Sequence, residues 1–150
     1  ILSKMNLIAN VTITLSRNDF LFRKKVAAAR ATEILRDLNV KYGSLHQLIT
    51  SLSGGNQQKC IIGRILSQNP KLIIMEEPTR GIDVGSKEEI FKIVKQLASR
   101  GVAILIVSSE LPELMNECDR ILVMKSGRIV GEVFASETSQ EEIMSMATGS

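Results

Sequence analysis

The spacing of apolar residues changes repeatedly along the chain, and each change marks an element. From Lys24 to Leu38 the apolar positions Val26, Ala27, Ala31, Ile34, Leu35 and Leu38 recur at helical intervals, and Asn39 and Gly43 end the run. Before it, residues 5–15 (MNLIANVTITL) are apolar and turn β-branched toward their end, so they read either as a strand or as a loosely packed segment. Residues 54–68 are again helical by pattern, with Cys60, Ile61, Arg64, Ile65 and Leu66 on one side. Asn69-Pro70 stops them, because proline disfavours helical geometry in the residue before it. The all-apolar LIIM (72–75), closed by two acids and Pro78, predicts a strand buried on both faces. Ser86-Lys87-Glu88-Glu89 reads as a capping box, in which Ser86 and Glu89 satisfy each other's backbone N–H groups. The helix it opens carries Ile90, Phe91, Val94, Leu97 and Ala98 on one face and closes at Gly101. VAILIV (102–107) predicts a second buried strand, and a strand–helix–strand crossover of this length makes the two strands parallel. A short helix near 111–117 has Leu111, Leu114, Met115 and Cys118 in phase. ILVM (121–124), the turn Ser126-Gly127 and RIVGEVF (128–134) read as a hairpin. Ser139 and Glu142 form a second capping box before a terminal helix.

Composition narrows the class. The 150 residues are 44% apolar and 23% charged, enough for one globular domain with a real core. A net charge of +3 with no basic stripe interleaved with aromatics gives no reason to expect a nucleic-acid partner. The densest positive run, Arg23-Lys24-Lys25, reads as a solvated helix start. The longest apolar run, Val102–Val107, falls far short of the ~18–20 residues of a membrane-spanning helix. Cys60 and Cys118 match no metal or redox spacing and read as free thiols packed on helices, in keeping with a reducing compartment. No signal-peptide pattern is read in these residues, and a start at Ile1 reads as a piece of a longer protein.

Two segments carry chemistry. LIIMEEP delivers adjacent carboxylates at the C-terminal end of an apolar strand, the edge at which α/β sheets bind ligands. Such a pair suits Mg²⁺ handling and activation of a water; taken alone it is also an ordinary solvated strand end. LSGGNQQK (52–59) starts a helix, where free N–H groups and a partial positive charge favour an anion and glycines let the backbone come close. Taken alone it is also a plain helix cap.

The order LSGGNQQK, about a dozen helical residues, LIIMEEPTRGID and then VSSE resembles that of the ATP-binding cassette (ABC) proteins over nearly the whole chain. LSGGNQQK resembles the ABC signature, Leu72–Glu77 the Walker B strand, and Gly81-Ile82-Asp83 the D-loop, while Val107–Glu110 falls where the switch histidine normally stands. The wording EPTRGIDVG, SSELPEL and DRILVMKSGRIVGE resembles more narrowly the second cassette of bacterial sugar importers of the ribose, xylose and galactose class. The resemblance implies an α/β fold, a partial ABC-type P-loop NTPase domain without its P-loop portion. Residues 1–69 would be its helical, signature-bearing subdomain, and 70–150 the C-terminal part of the ATPase core with a terminal hairpin and helix.

The same resemblance implies residue roles. Ser53, Gly54 and Gly55, with Gln57 nearby, would meet the γ-phosphate of an ATP held by a facing cassette. Glu77 would be the catalytic glutamate that orients or deprotonates the attacking water, and Asp83 would link the two cassettes. Glu76 would hold Mg²⁺ through water, and Ser109 would occupy the switch position. The implied partners are the facing cassette, transmembrane permease subunits and, indirectly, a periplasmic sugar-binding protein. The implied location is peripheral, on the cytoplasmic face of the plasma membrane. Sugar specificity would lie in the permease and the binding protein, so nothing in these residues selects a particular sugar.

Three departures qualify the picture. No G-x-x-x-x-G-K-[ST] and no Q-loop stand anywhere in the sequence, for which truncation is the simplest account. Glu76 replaces the usual Walker B aspartate and puts its carboxylate roughly 1.5 Å further out, which weakens the octahedral placement Mg²⁺ demands. Ser109 replaces the switch histidine and cannot titrate near neutrality, although SSE is usual in this half of the sugar-importer type. The site built on this half is therefore expected to be the poorer one, with the signature serving the other. The complete protein is expected to be a sugar-importer ATPase, and the 150-residue chain alone to be inactive and to self-associate through open sheet edges. A different class of answer is a stand-alone signature-bearing module that completes or regulates a partner's site. The head of a chromosome-maintenance or repair ATPase fits less well, because the helix over 24–38 is short and heptads do not persist.

Overall fold

The computed structural model describes residues 1–15 and 24–149, so the Arg23 end of the basic run lies outside the described residues. They form two compact units, Ile1–Ile74 with Pro78–Leu105, and Met75–Glu77 with Ile106–Ser150.

In the first unit the apolar N-terminal stretch is a helix, α1 (Leu7–Thr12), rather than a strand. Asn6 caps it by accepting from the Ala9 N–H at 3.0 Å. Leu7 and Val11, four residues apart, are fully buried, and Asn10 between them is buried too. The Asn10 amide donates to the carbonyls of Leu2, Met5 and Asn6 at 3.0, 3.1 and 3.1 Å, so its burial leaves nothing unsatisfied. Burial of one helical face outweighs the weak β preference of Val11, Thr12 and Ile13.

Helix α2 (Lys24–Asp37) buries Ala27, Ala31 and Leu35, while Val26, expected on the same face, is exposed. It ends in a Schellman motif. Asn39 takes φ 51°, its N–H bonds to Arg36 O at 2.9 Å, and the Val40 N–H bonds to Leu35 O at 2.8 Å.

Helix α3 (Gly54–Leu66) buries Gly55, Lys59, Cys60, Ile62 and Gly63; of the Cys60-Ile61-Arg64-Ile65-Leu66 face that apolar spacing predicts, Cys60 is buried and the other four are half-buried. Its contacts are made through glycines, which hydrophobic periodicity cannot register. A Cβ on Gly63 would lie 2.5 Å from an Ile34 methyl and 2.9 Å from one of Leu38, so the backbone of α3 itself packs on α2. Asn69, at φ 49°, and Pro70 follow.

Strand β1 (Leu72–Glu76) pairs with β2 (Ala103–Val107). The bonds Ala103 N–H to Lys71 O, 2.9 Å, and Glu77 N–H to Val107 O, 2.7 Å, join start to start and end to end, so the strands are parallel. The expectation of burial on both faces fails. Ile73 and Met75 are buried, but Leu72 and Ile74 are 53% and 62% exposed, and Leu105 and Val107 are 45% and 51% exposed. Among the described residues that face is left about half exposed. Helix α4 (Val84–Ser99) makes the crossover and buries Ile90, Phe91, Val94 and Leu97 as its pattern predicts, with Ala98 exposed.

The second unit holds α5 (Leu111–Glu117), β3 (Arg120–Lys125), β4 (Arg128–Phe134) and α6 (Gln140–Thr148). The predicted hairpin forms, with Lys125 opposite Arg128 and both turn residues at positive φ, Ser126 at 49° and Gly127 at 77°. Its core is Ile121, Val123 and Ile143, with Leu111, Leu114 and Met115 of α5 packed against it. The second capping box is half formed. Ser139 accepts from the Glu142 N–H at 3.2 Å, but the Glu142 carboxylate accepts from the Thr138 hydroxyl at 2.8 Å.

Candidate functional site

The start of α3 is open. Ser53 stands before the first turn in extended geometry (φ −60°, ψ 156°), is exposed, and makes no capping bond with its side chain. Its hydroxyl accepts from the Asn56 amide at 2.9 Å instead, so it does not consume the free N–H groups of the first turn. The two glycines differ. A Cβ on Gly54 would clear its nearest neighbours, Gly81 O and Ile82, by 3.7 Å, whereas one on Gly55 would come within 2.5 Å of the Ser86 hydroxyl. A methyl on Gly54 would thus sit in ordinary contact with Gly81 and Ile82, whereas Gly55 is required by the packing of α3 on α4. The Gln57 amide donates to Leu52 O at 2.8 Å, holding the segment that leads into the helix.

Asp83 lies on the same unit as the N-cap of α4 and accepts from the Ser86 N–H at 3.0 Å. That N–H, and after it the Ser86 hydroxyl, hold the exposed Asp83 carboxyl below the ordinary carboxylate range. The Ser86–Glu89 capping box does not form, because Asp83 starts the helix three residues earlier than Ser86 would. Glu89 instead pairs with Lys59 of α3, which holds its carboxyl below the usual range. Lys59 also donates to Asn39 O at 3.2 Å and is buried.

The acids are placed by the other unit. Glu76 ends β1 and is exposed. Glu77 follows in left-handed geometry, φ 45°, which costs a non-glycine residue on the order of 1–2 kcal/mol. The conformation turns the chain out of the strand while the Glu77 N–H still bonds Val107 O. The Glu77 carboxylate accepts from the Ser109 backbone N–H, Oε1 to N 2.9 Å. Ser109 is exposed, and the Ser108 hydroxyl accepts from the Glu110 N–H at 3.0 Å. Among the described residues no three His, Cys, Asp or Glu side chains gather to hold a metal. A Mg²⁺ at Glu76 would take its remaining oxygens from water and phosphate, the usual mode for that ion.

Ser53, Gly54, Gly55, Gln57 and Asp83 thus belong to one compact unit, and Glu76, Glu77 and Ser109 to the other. Sequence reasoning read Asn39 as a helix stop and Ser86 with Glu89 as a capping box, and gave Lys59 no role of its own, so it did not bring these residues together. The available signal was Lys59 itself, a charge four residues after Gly55 and beside Cys60, on the stripe a buried helix face would use.

Residues 3–80 match the family described as ABC transporter. The chain is 49% identical over 129 residues to a ribose import ATP-binding protein of Rhizobium meliloti (strain 1021), covering 86% of this chain and 25% of that protein. It is 52% identical over 120 residues to a xylose import ATP-binding protein of Geobacillus kaustophilus (strain HTA426), covering 80% of this chain and 24% of that protein. It spans about a quarter of the length of these curated relatives. A nucleotide-free ATP-binding cassette from an ABC transporter matches with TM-score 0.76 and 26% identity, over 99% of this chain and 61% of that one. A dimeric, post-hydrolysis ATP-binding cassette bound to ADP and Pi matches in fold, with TM-score 0.75 and 23% identity over 90% of this chain and 59% of that one.

Proposed function

This chain belongs to the ABC transporter family, and from that premise we propose that it is the signature-bearing part of the ATP-binding subunit of a sugar importer. In the complete protein, ATP hydrolysis would drive carbohydrate uptake through a membrane permease. The start of α3 is the observation that carries the reading, because the Ser53 side chain makes no capping bond and leaves the first-turn N–H groups to meet a phosphate. Each charge-assisted contact there contributes on the order of 1.5–3 kcal/mol.

In this reading Ser53, Gly54 and Gly55 meet the γ-phosphate of an ATP held by a facing cassette. Glu77 orients the attacking water, Glu76 takes part in holding Mg²⁺, and Asp83 links the two cassettes. Residues 1–69 act as the helical, signature-bearing part and 70–150 as part of the ATPase core. The partners are the facing cassette, the permease and, through it, a periplasmic sugar-binding protein. The subunit sits peripherally on the cytoplasmic face of the membrane; no described helix is long and apolar enough to cross one.

Replacing Ser53 by arginine in the complete transporter tests the reading. ATP-driven sugar uptake into vesicles is expected to cease. Uptake at the unmodified rate would overturn the assignment.

A further inference from the structure

The buried charge of Lys59 has no part in the reading above, and its surroundings give it one. Its side chain is 3% exposed and pairs with Glu89 on α4. Four residues back on α3 Gly55 meets Ser86, which is three residues back from Glu89 on α4. The two contacts are therefore about 6 Å apart along α3 and about 4.5 Å apart along α4. One close contact would leave α3 free to pivot about Gly55. A second contact one turn away removes the pivot.

The two contacts differ in kind. Gly55 against Ser86 is steric and sets how near the helices come. Lys59 with Glu89 is directional and sets the rotation of α3 about its own axis. The Asn39 carbonyl, at the Schellman end of α2, supplies a third point, 3.2 Å from the Lys59 ammonium. Asn56 ties the same loop to α3 by accepting from the Lys41 N–H at 2.9 Å. Glu89 is half-exposed, so its attraction to Lys59 is screened, and an apolar pair could fill the place at little cost in stability. The pair contributes direction more than stability.

We propose that Lys59 is a positioning residue: with Glu89 and the Asn39 carbonyl it locks the helix that presents Ser53 and Gly54 to the helix capped by Asp83. The phosphate-facing helix end and the cassette-linking aspartate then move as one body. This inference rests on the role of Ser53 proposed above.

A double-mutant cycle in the full-length subunit, assembled with its permease, tests it. The variants are Lys59→Met, Glu89→Gln and the two combined, each followed by steady-state ATPase kinetics and thermal unfolding. Each single variant is expected to lower kcat by about tenfold to a hundredfold, the cost of displacing a reacting contact by the order of an ångström. KM for ATP is expected to stay within about twofold, because in this reading the facing cassette holds the nucleotide and α3 only completes the site. The double variant is expected to be no worse than Lys59→Met, since both remove the same interaction. Glu89 is half-exposed, so Glu89→Gln carries the test even if Lys59→Met fails to fold. A Glu89→Gln protein with unchanged kcat, or losses that multiply in the double variant, would overturn the proposal. Ser53→Arg run alongside separates the two failures. If Ser53→Arg is dead and Glu89→Gln is unaffected, only the clamp falls; if Ser53→Arg transports normally, the reading of α3 and the clamp fall together.

Discussion

The Glu77 carboxylate and the Ser109 main chain are joined by a hydrogen bond of 2.9 Å in which the Ser109 N–H is the donor. Ser109 thus reaches the acid through its backbone, and its hydroxyl is not the donor. Because the bond is charge-assisted, it should contribute on the order of 1.5 kcal/mol or more to local closure. Glu77→Ala is expected to speed amide hydrogen exchange at Ser109 by about tenfold, and Ser109→Ala to leave the amide of residue 109 protected. Equal exchange in all three proteins would show that the bond does not persist in solution.

The two signature glycines should respond oppositely to a methyl group. Gly55→Ala places a Cβ against Ser86 and is expected to cost about 1–3 kcal/mol in urea unfolding, as overpacking does. Gly54→Ala meets nothing closer than 3.7 Å and is expected to leave stability nearly unchanged. Adding Ser86→Gly to Gly55→Ala should recover most of the loss. Equal effects at the two positions would refute the packing role of Gly55.

In the complete transporter, Ser53 and Glu77 are expected to serve different sites. In the reading proposed above, Glu76 and Ser109 depart from the usual residues around Glu77, whereas LSGGNQQK keeps the full signature pattern. Replacing Ser53 should therefore damage uptake more than Glu77→Gln does. The reverse ranking, measured as uptake per assembled complex, would mean that the two sites have been assigned the wrong way round.

Burial pushes the Cys60 thiol up from 9.0 to about 11, with Arg64 and Lys59 opposing the shift. A raised acid pKa means that the folded state holds the proton more tightly than the unfolded chain does. This stabilising contribution is complete below pH 9.0 and is lost as pH climbs toward about 11. Unfolding free energy is expected to fall across that window, and the fall should vanish in Cys60→Ala. At pH 8 iodoacetamide should label the half-buried Cys118 well before Cys60; labelling of both at one rate would contradict the burial.

The 150-residue chain by itself is expected to associate and to be catalytically silent. Leu72, Ile74, Leu105 and Val107 are all about half-exposed or more, on a sheet that has two strands among the described residues. An apolar surface and open strand edges of this kind favour self-pairing. Sedimentation should show mass rising with concentration, and Mg-ATPase should not exceed a Glu77→Gln control. A clean monomer at high concentration, or turnover above that control, would contradict the respective expectation.

Much of the fold was legible because its signals are local. Helices α2 to α6 and the hairpin stand where spacing and turn residues put them, and the parallel pairing of β1 with β2 follows from the crossover length. The misses have local rules that lost to longer-range ones. Ser86-x-x-Glu89 satisfies the capping-box pattern, but Asp83 caps first and Lys59 claims Glu89. The stretch over 5–15 carries β-branched residues, but a buried Asn10 with three carbonyl partners holds α1 as a helix. An all-apolar strand implies two covered faces, and here only the Ile73–Met75 face is covered by described residues.

By itself the sequence determined the order and type of most elements and the exposed, glycine-led start of α3. These depend on residues within a few positions of one another, whose preferences act before any tertiary contact exists. Only the tertiary structure decided that Gly55 lies on Ser86, that Lys59 pairs with Glu89 30 residues away, and that Glu77 meets the Ser109 backbone 32 residues on. Contacts at such separations are set by how helices and strands dock, and glycine backbones and main-chain donors leave no trace in an apolar pattern.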